Sequence, residues 1–180
     1  MQPTKLWWMK AVAKSPLEMQ RFRPCMGDEK SITRKVFIYC VRDGQLLVCR
    51  HLDLPPDEVG IQVPGGSIRK GEGARAAALR EIREETGFDA FQIIGSLGCA
   101  AYDVSPYRNE IQRRMFFLAR PLASLPARWE AAELHDGAAP PTWLEFFWID
   151  IARAHVLQSA QSLFVWKLAS TYKGETKFKN

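Results

Sequence analysis

Two apolar runs rich in β-branched and aromatic residues, 36–42 and 45–50, flank Asp43-Gly44, a strong two-residue turn signal, and predict a hairpin. Apolar side chains fall on both of its faces. Ile38, Cys40, Leu47 and Cys49 share one side, while Phe37, Tyr39, Val41, Leu46 and Val48 share the other, so the hairpin should be covered above and below. Further strands are expected at 61–64, at 91–94 and 95–102 with bulge signals between them, at 112–119, where Met115, Phe116, Phe117 and Leu118 form a buried run, and at 144–149. Residues 74–85 are mostly strong helix formers without Gly or Pro. Gly71 and Gly73 precede this run and Gly87 follows it, where a left-handed cap is commonest. A second, amphipathic helix is expected over 159–172, packing through Leu163, Trp166, Leu168 and Ala169. Strands around one central helix, with another helix at the end, predict an α/β fold, an α/β/α sandwich around a mixed β-sheet.

Two stretches lack a sustained period. Residues 1–30 read as an N-terminal arm or edge segment, in which Trp7 and Trp8 could cover a groove, meet a second subunit or stack on a base. Residues 31–180 are left as a single domain. Residues 120–142, with Pro121, Pro126, Pro140 and Pro141, read as a long loop with room for a helical turn.

Composition narrows the classes. A chain of 180 residues with 47% hydrophobic and 25% charged residues is ordinary for a globular protein. No apolar run is long enough to span a membrane. The four cysteines show no C-x-x-C spacing and no cluster with the three histidines, so free thiols and a cytoplasmic location are expected. A net charge of +5 suits a polyanionic substrate without identifying a nucleic-acid binder.

The chemistry concentrates on the central helix. Glu81, Glu84 and Glu85 are three and four residues apart, so their carboxylates lie on one helical face. Like charges at that spacing are unfavourable by a few tenths of a kcal/mol per pair unless water or a divalent cation offsets them. Ala78, Leu79 and Ile82 point away and can pack on a sheet. The small residues one turn earlier, Ala74 and Ala77, would leave room for a substrate's phosphates.

From Gly66 to Phe88 the sequence reads Gly66, five residues, Glu72, seven residues, Arg80-Glu81-Ile82-Arg83-Glu84-Glu85-Thr86-Gly87-Phe88. This stretch resembles the signature of the Nudix hydrolases, G-x5-E-x7-R-E-U-x-E-E-x-G-U, at every defined position. The resemblance implies the Nudix fold and a magnesium-dependent pyrophosphohydrolase, with Mn2+ as a substitute, acting on a nucleoside diphosphate linked to another moiety: a nucleotide, sugar nucleotide or dinucleotide. It implies that Glu81, Glu84 and Glu85 bind metal, joined by the Gly66 carbonyl and by Glu72, and that Arg80 orients Glu81. Glu81, Arg80 and Glu84 are then the catalytic candidates. For the general base Glu81 comes first, with Glu110, Glu130, Glu133 and Glu145 as distal alternatives. Arg50, Arg108 and Arg113 are candidate substrate contacts, together with His51 and Arg114. No subfamily signature is intact. The partner expected is a small nucleotide-type substrate, with no membrane, no nucleic acid apart from capped RNA ends, and a homodimer left open. Two other readings compete: a non-catalytic nucleotide-sensing or binding module, which would lose box glutamates, and a prenyl diphosphate isomerase-like enzyme, which would depart from the box.

Overall fold

A computed structural model describes residues 30–55, 59–134 and 140–168. All elements below lie within the unit Ser31–Asn180. The N-terminal arm with Trp7 and Trp8, and Ala169–Tyr172 of the expected last helix, lie outside the described residues.

The elements run β1 (Ser31–Arg42), β2 (Gln45–His51), β3 (Gly65–Ser67), α1 (Ala74–Thr86), β4 (Phe91–Asp103), β5 (Glu110–Pro121), β6 (Arg128–Glu133), β7 (Thr142–Asp150) and a 3-10 helix (Ile151–Val156). The strands form one mixed seven-stranded sheet in the order β4-β5-β1-β2-β7-β6, with β3 paired to β1. The fold is therefore mixed α/β, as expected.

The hairpin β1–β2 forms at Asp43-Gly44, with φ of 47° and 75° suited to a tight two-residue turn. Its strands pair only at Val41↔Leu46 and Arg42↔Gln45 and then diverge. Into the opening runs the segment that carries Gly65 and Gly66. Ile38 N–H donates to the Pro64 carbonyl, Cys49 and Gln62 exchange two backbone hydrogen bonds, and β3 pairs with β1 at Val36↔Gly66. The predicted strand at 61–64 is thus limited to isolated bridges, and Gly65 and Gly66 after it are in a strand.

Burial follows the two-faced pattern. Ile38, Cys40, Leu47 and Cys49 join the core cluster beneath α1, with Ala77, Ala78 and Ile82. Phe37, Tyr39, Val41, Leu46 and Val48 join the cluster on the opposite face, which includes Ala154, Leu157 and Leu168. β4 is one strand rather than two, with register shifts at Ile93/Gly95, between the two expected segments, and at Ser96/Gly98.

Three expectations are corrected. The loop at 120–142 contains β6, which pairs with β7 from Arg128↔Phe147 to Glu133↔Thr142. Its Trp-x-Ala-x-Glu alternation is too short to stand out among the prolines, and β7 supplies the pairing that makes it a strand. The last helix does not start at Ser159. Ser159 and Ala160 have φ of 53° and 58°, outside the helical region, and turns with i→i−3 hydrogen bonds at Gln161, Leu163 and Val165 lead into helix only at 166–168. Phe164, Val165 and Leu168 turn inward, whereas Leu163 and Trp166 are exposed. Finally, Ala77 is fully buried and Ala74 packs on the same cluster, so neither leaves room for phosphates. Among the described residues, no helix is long and apolar enough to cross a membrane.

Candidate active site

Helix α1 crosses the sheet with Ala77, Ala78 and Ile82 against it. Gly87, at φ 75°, ends the helix by donating its N–H to the Arg83 carbonyl. Packing of the apolar stripe fixes the rotation of the helix, and Glu81 and Glu85 are consequently directed at β3. Gly65 N–H donates to Glu85 Oε2 at 3.2 Å. A Cβ on Gly66 would run into the Glu81 carboxylate, so only glycine lets the strand approach this closely.

A third acid completes the group. Ligand oxygens of Glu81, Glu85 and Glu133 all lie within 4.8 Å of one another. Glu133 comes from the end of β6, where Trp129, Ala131 and Glu133 alternate onto the α1 side of the sheet. Of the four distal acids named from sequence, this is the one brought to the helix. Reading β6 as a loop hid the alternation that singles it out.

The electrostatics of this group are adverse in the protein alone. Burial pushes the Glu85 carboxyl well above the usual carboxylate range, and the charges of Glu133 and Glu81 push it further. Burial also raises Glu81, against the lowering effect of Arg80. Three oxygen donors, two of them buried, suit a hard divalent cation.

Arg80 organises the acids beside this group. Its Nε and Nη2 grip the Glu72 carboxylate at 2.8 Å each, Nη1 donates to Glu81 Oε1 at 2.8 Å and to Glu84 Oε2 at 2.9 Å, and Nη2 also reaches the Ser67 carbonyl. This two-pronged hold brings the Glu72 carboxyl down to about 2. Glu72 also accepts from Arg69 N–H at 2.9 Å, which closes the loop before α1. Glu84 is exposed and shared between Arg80 and Arg69. The structure thus groups Glu81 and Glu85 with Glu133, and holds Glu72 and Glu84 on Arg80.

The remaining candidates scatter. Arg50 lies on the other face of the sheet, where it and Arg128 hold Glu145 at 2.6 and 2.8 Å beside a cavity of about 200 Å³ lined in part by Ile61 and Phe147. Glu145 is therefore held by two arginines and kept away from the acid cluster. Arg108 is exposed, 4.0 Å from Glu110. Arg114 is buried, stacked 3.7 Å over Tyr102 and bonded to Gln112, so it serves packing. His51, half-buried at the end of β2, is lowered by burial against the raising effect of Glu133 and Asp53. Arg113 alone of the three arginines first named shares the α1 face, by alternation with Met115 and Phe117.

The chain matches the NUDIX domain model over residues 32–163. It is 32% identical over 120 residues to an RNA pyrophosphohydrolase of Acidiphilium cryptum, covering 62% of this chain and 70% of that protein. It is 30% identical over 92 residues to an ADP-ribose pyrophosphatase of Bacillus subtilis, covering 51% of this chain and 47% of that protein. The crystal structure of a MutT NUDIX hydrolase from Burkholderia pseudomallei, at 20% identity, superposes with a TM-score of 0.57 over 76% of this chain and 97% of that one. With the box intact on α1 and the domain matched across most of the described residues, the chain belongs to the Nudix family, as a hydrolase acting on phosphoanhydride bonds.

Proposed function

We propose that residues 31–180 form a magnesium-dependent pyrophosphohydrolase that cleaves the diphosphate of a nucleoside diphosphate linked to another group, with manganese as a substitute. The observation that carries this reading is the convergence of the Glu81, Glu85 and Glu133 carboxylates within 4.8 Å of one another, two of them buried. Such a group is costly unless a bound cation offsets it. The relatives named for RNA and for ADP-ribose support a nucleotide-linked substrate.

Glu81, Glu85 and Glu133 would hold the cation, with the Gly66 carbonyl and Glu84 at its edge. When bound, it would neutralise non-bridging phosphate oxygens and help to generate the nucleophilic water. The chain's own residues do the rest. Glu81 is the first candidate for the base that takes the proton of that water, because Arg80 fixes its orientation while burial keeps its carboxyl basic. Glu133 is the second. Arg80 keeps Glu72 and the Ser67 carbonyl in place, so the loop carrying Gly66 stays against the helix. Water adds to one phosphorus, the bridging P–O bond breaks, and two phosphate-bearing products leave.

The test is a panel of nucleoside triphosphates, sugar nucleotides, dinucleotides and capped or 5′-phosphorylated RNA. Release of phosphate products that requires magnesium and is lost in Glu85→Gln is expected. Silence across the whole panel would favour a nucleotide-sensing module instead.

A further inference from the structure

Arg34 on β1 and Arg113 on β5 stand opposite each other in neighbouring parallel strands. Side chains two residues apart on a strand share a face. Val36 and Ile38 of β1, and Met115 and Phe117 of β5, pack under α1, so Arg34 and Arg113 belong to that same face, beyond the end of the packed core. Both are exposed, and neither guanidinium has a hydrogen-bond or ion-pair partner among the described residues. Like charges set directly opposite in a sheet are unfavourable. Several other arginines among the described residues are held by partners: Arg50 and Arg128 by Glu145, Arg80 by Glu72, Arg114 by Gln112 and Tyr102. An unneutralised pair on an open shelf therefore suits an anion supplied from outside.

The shelf is continuous with the acid cluster. Val36, two residues on from Arg34, pairs with Gly66, which lies against the Glu81 carboxylate. Two residues along a strand span about 7 Å. A phosphodiester one nucleotide along the chain from the reacting anhydride can reach across that gap, with the sugar between them. Beside the arginines, the partly buried Ile111 and Met115 and the 57% exposed Ile32 offer an apolar floor for the sugar and base in between.

We propose that Arg34 and Arg113 form a second anion subsite that takes a phosphodiester of an oligoribonucleotide whose 5′ phosphoanhydride lies over Glu81, Glu85 and Glu133. This rests on the pyrophosphohydrolase reading of the acid cluster and narrows its substrate class. The contact is to backbone phosphate, so it is salt-dependent and indifferent to sequence.

The experiment measures equilibrium binding, without divalent cation, of a short 5′-monophosphorylated oligoribonucleotide and of a nucleoside 5′-monophosphate. The proteins are wild type, Arg34→Ala, Arg113→Ala and Arg34→Lys, with Arg34→Gln or Arg113→Gln replacing the alanine variant at the same position if that variant loses its cooperative melt. The oligonucleotide should bind at least about tenfold more tightly than the mononucleotide at low salt. Each alanine variant should lose about tenfold of oligonucleotide affinity and about one unit of salt slope. Arg34→Lys keeps the charge and should retain most of both. Equal affinity of wild type for the two ligands, or alanine variants that bind the oligonucleotide as wild type does, overturns the subsite. Because binding is read without turnover, selective oligonucleotide binding alongside a silent hydrolysis panel would overturn the activity and leave the subsite standing.

Discussion

Glu145 and Glu85 are both buried carboxylates, and their surroundings move them in opposite directions. Glu145 lies between Arg128 and Arg50, whose hydrogen bonds hold its carboxyl below the usual range, and the trio ties β2, β7 and β6 together on the face away from α1. Glu85 faces Glu81 and Glu133, and among the described residues its one direct donor is the Gly65 N–H. The first group is electrostatically complete within the protein. The second gathers like charges on one another, and that marks the place where a cation and an anionic substrate would contribute binding energy.

The comparison yields tests that can be ranked. The largest effect is expected for Glu85→Gln, which should lower magnesium-dependent turnover on the order of a hundredfold or more while leaving the metal-free protein no less stable, since a buried repulsion is removed. Parallel rate and melting measurements would check it. Glu84→Gln should cost less turnover than Glu85→Gln, because Glu84 is held at the rim by Arg80 and Arg69. Should the order be reversed, Glu84 must swing into the cluster.

Arg80→Ala should come next, with a loss of about 3 kcal/mol of stability, because Glu72, Glu81 and Glu84 would lose a shared counter-charge. Arg80→Lys should recover little of it, since an ammonium cannot grip Glu72 at two points. Denaturant melts of both variants decide the matter. Adding magnesium to the metal-free wild type should raise its stability by about 2–3 kcal/mol at a hundredfold excess over the dissociation constant. The rise should vanish in Glu85→Gln and persist in Glu145→Gln.

The smallest effect belongs to Glu145→Gln, about 1–2 kcal/mol, with turnover retained. Its carboxyl is lower in the folded state than its ordinary value of 4.5, so its contribution is fully present above that pH and is lost as the pH falls through the folded value. The acid limb of the stability profile should therefore flatten in this variant. An unchanged acid limb, or a large loss of turnover, would erase the distinction between the two groups.

Much of the site was legible in the chain because its information is local. Glu81 and Glu85 share a helical face through spacing alone, Arg80 reaches the first of them as its neighbour, and Gly66 and Gly87 sit where a close approach and a left-handed cap require them. Both faces of the β1–β2 hairpin could be read from alternation before any partner was known. Glu133 was one of four acids with nothing to separate them. Its role depends on β6 adding to β7, a pairing between segments whose own preference is weak. Arg34 was not singled out at all, although it alternates with Val36 and Ile38, because a lone exposed arginine carries no signal until Arg113 is placed opposite it.

By itself, then, the sequence determined a helix with an acid stripe and a two-faced hairpin, since each rests on contacts between residues a few positions apart, while the phosphoanhydride chemistry came from the resemblance of its box to that of the Nudix hydrolases. Tertiary structure decided which distal acid joins Glu81 and Glu85, which arginines are already satisfied, and which pair is left facing solvent beside the cluster. Those outcomes depend on strand order and register, through which residues 79 positions apart, such as Arg34 and Arg113, become neighbours.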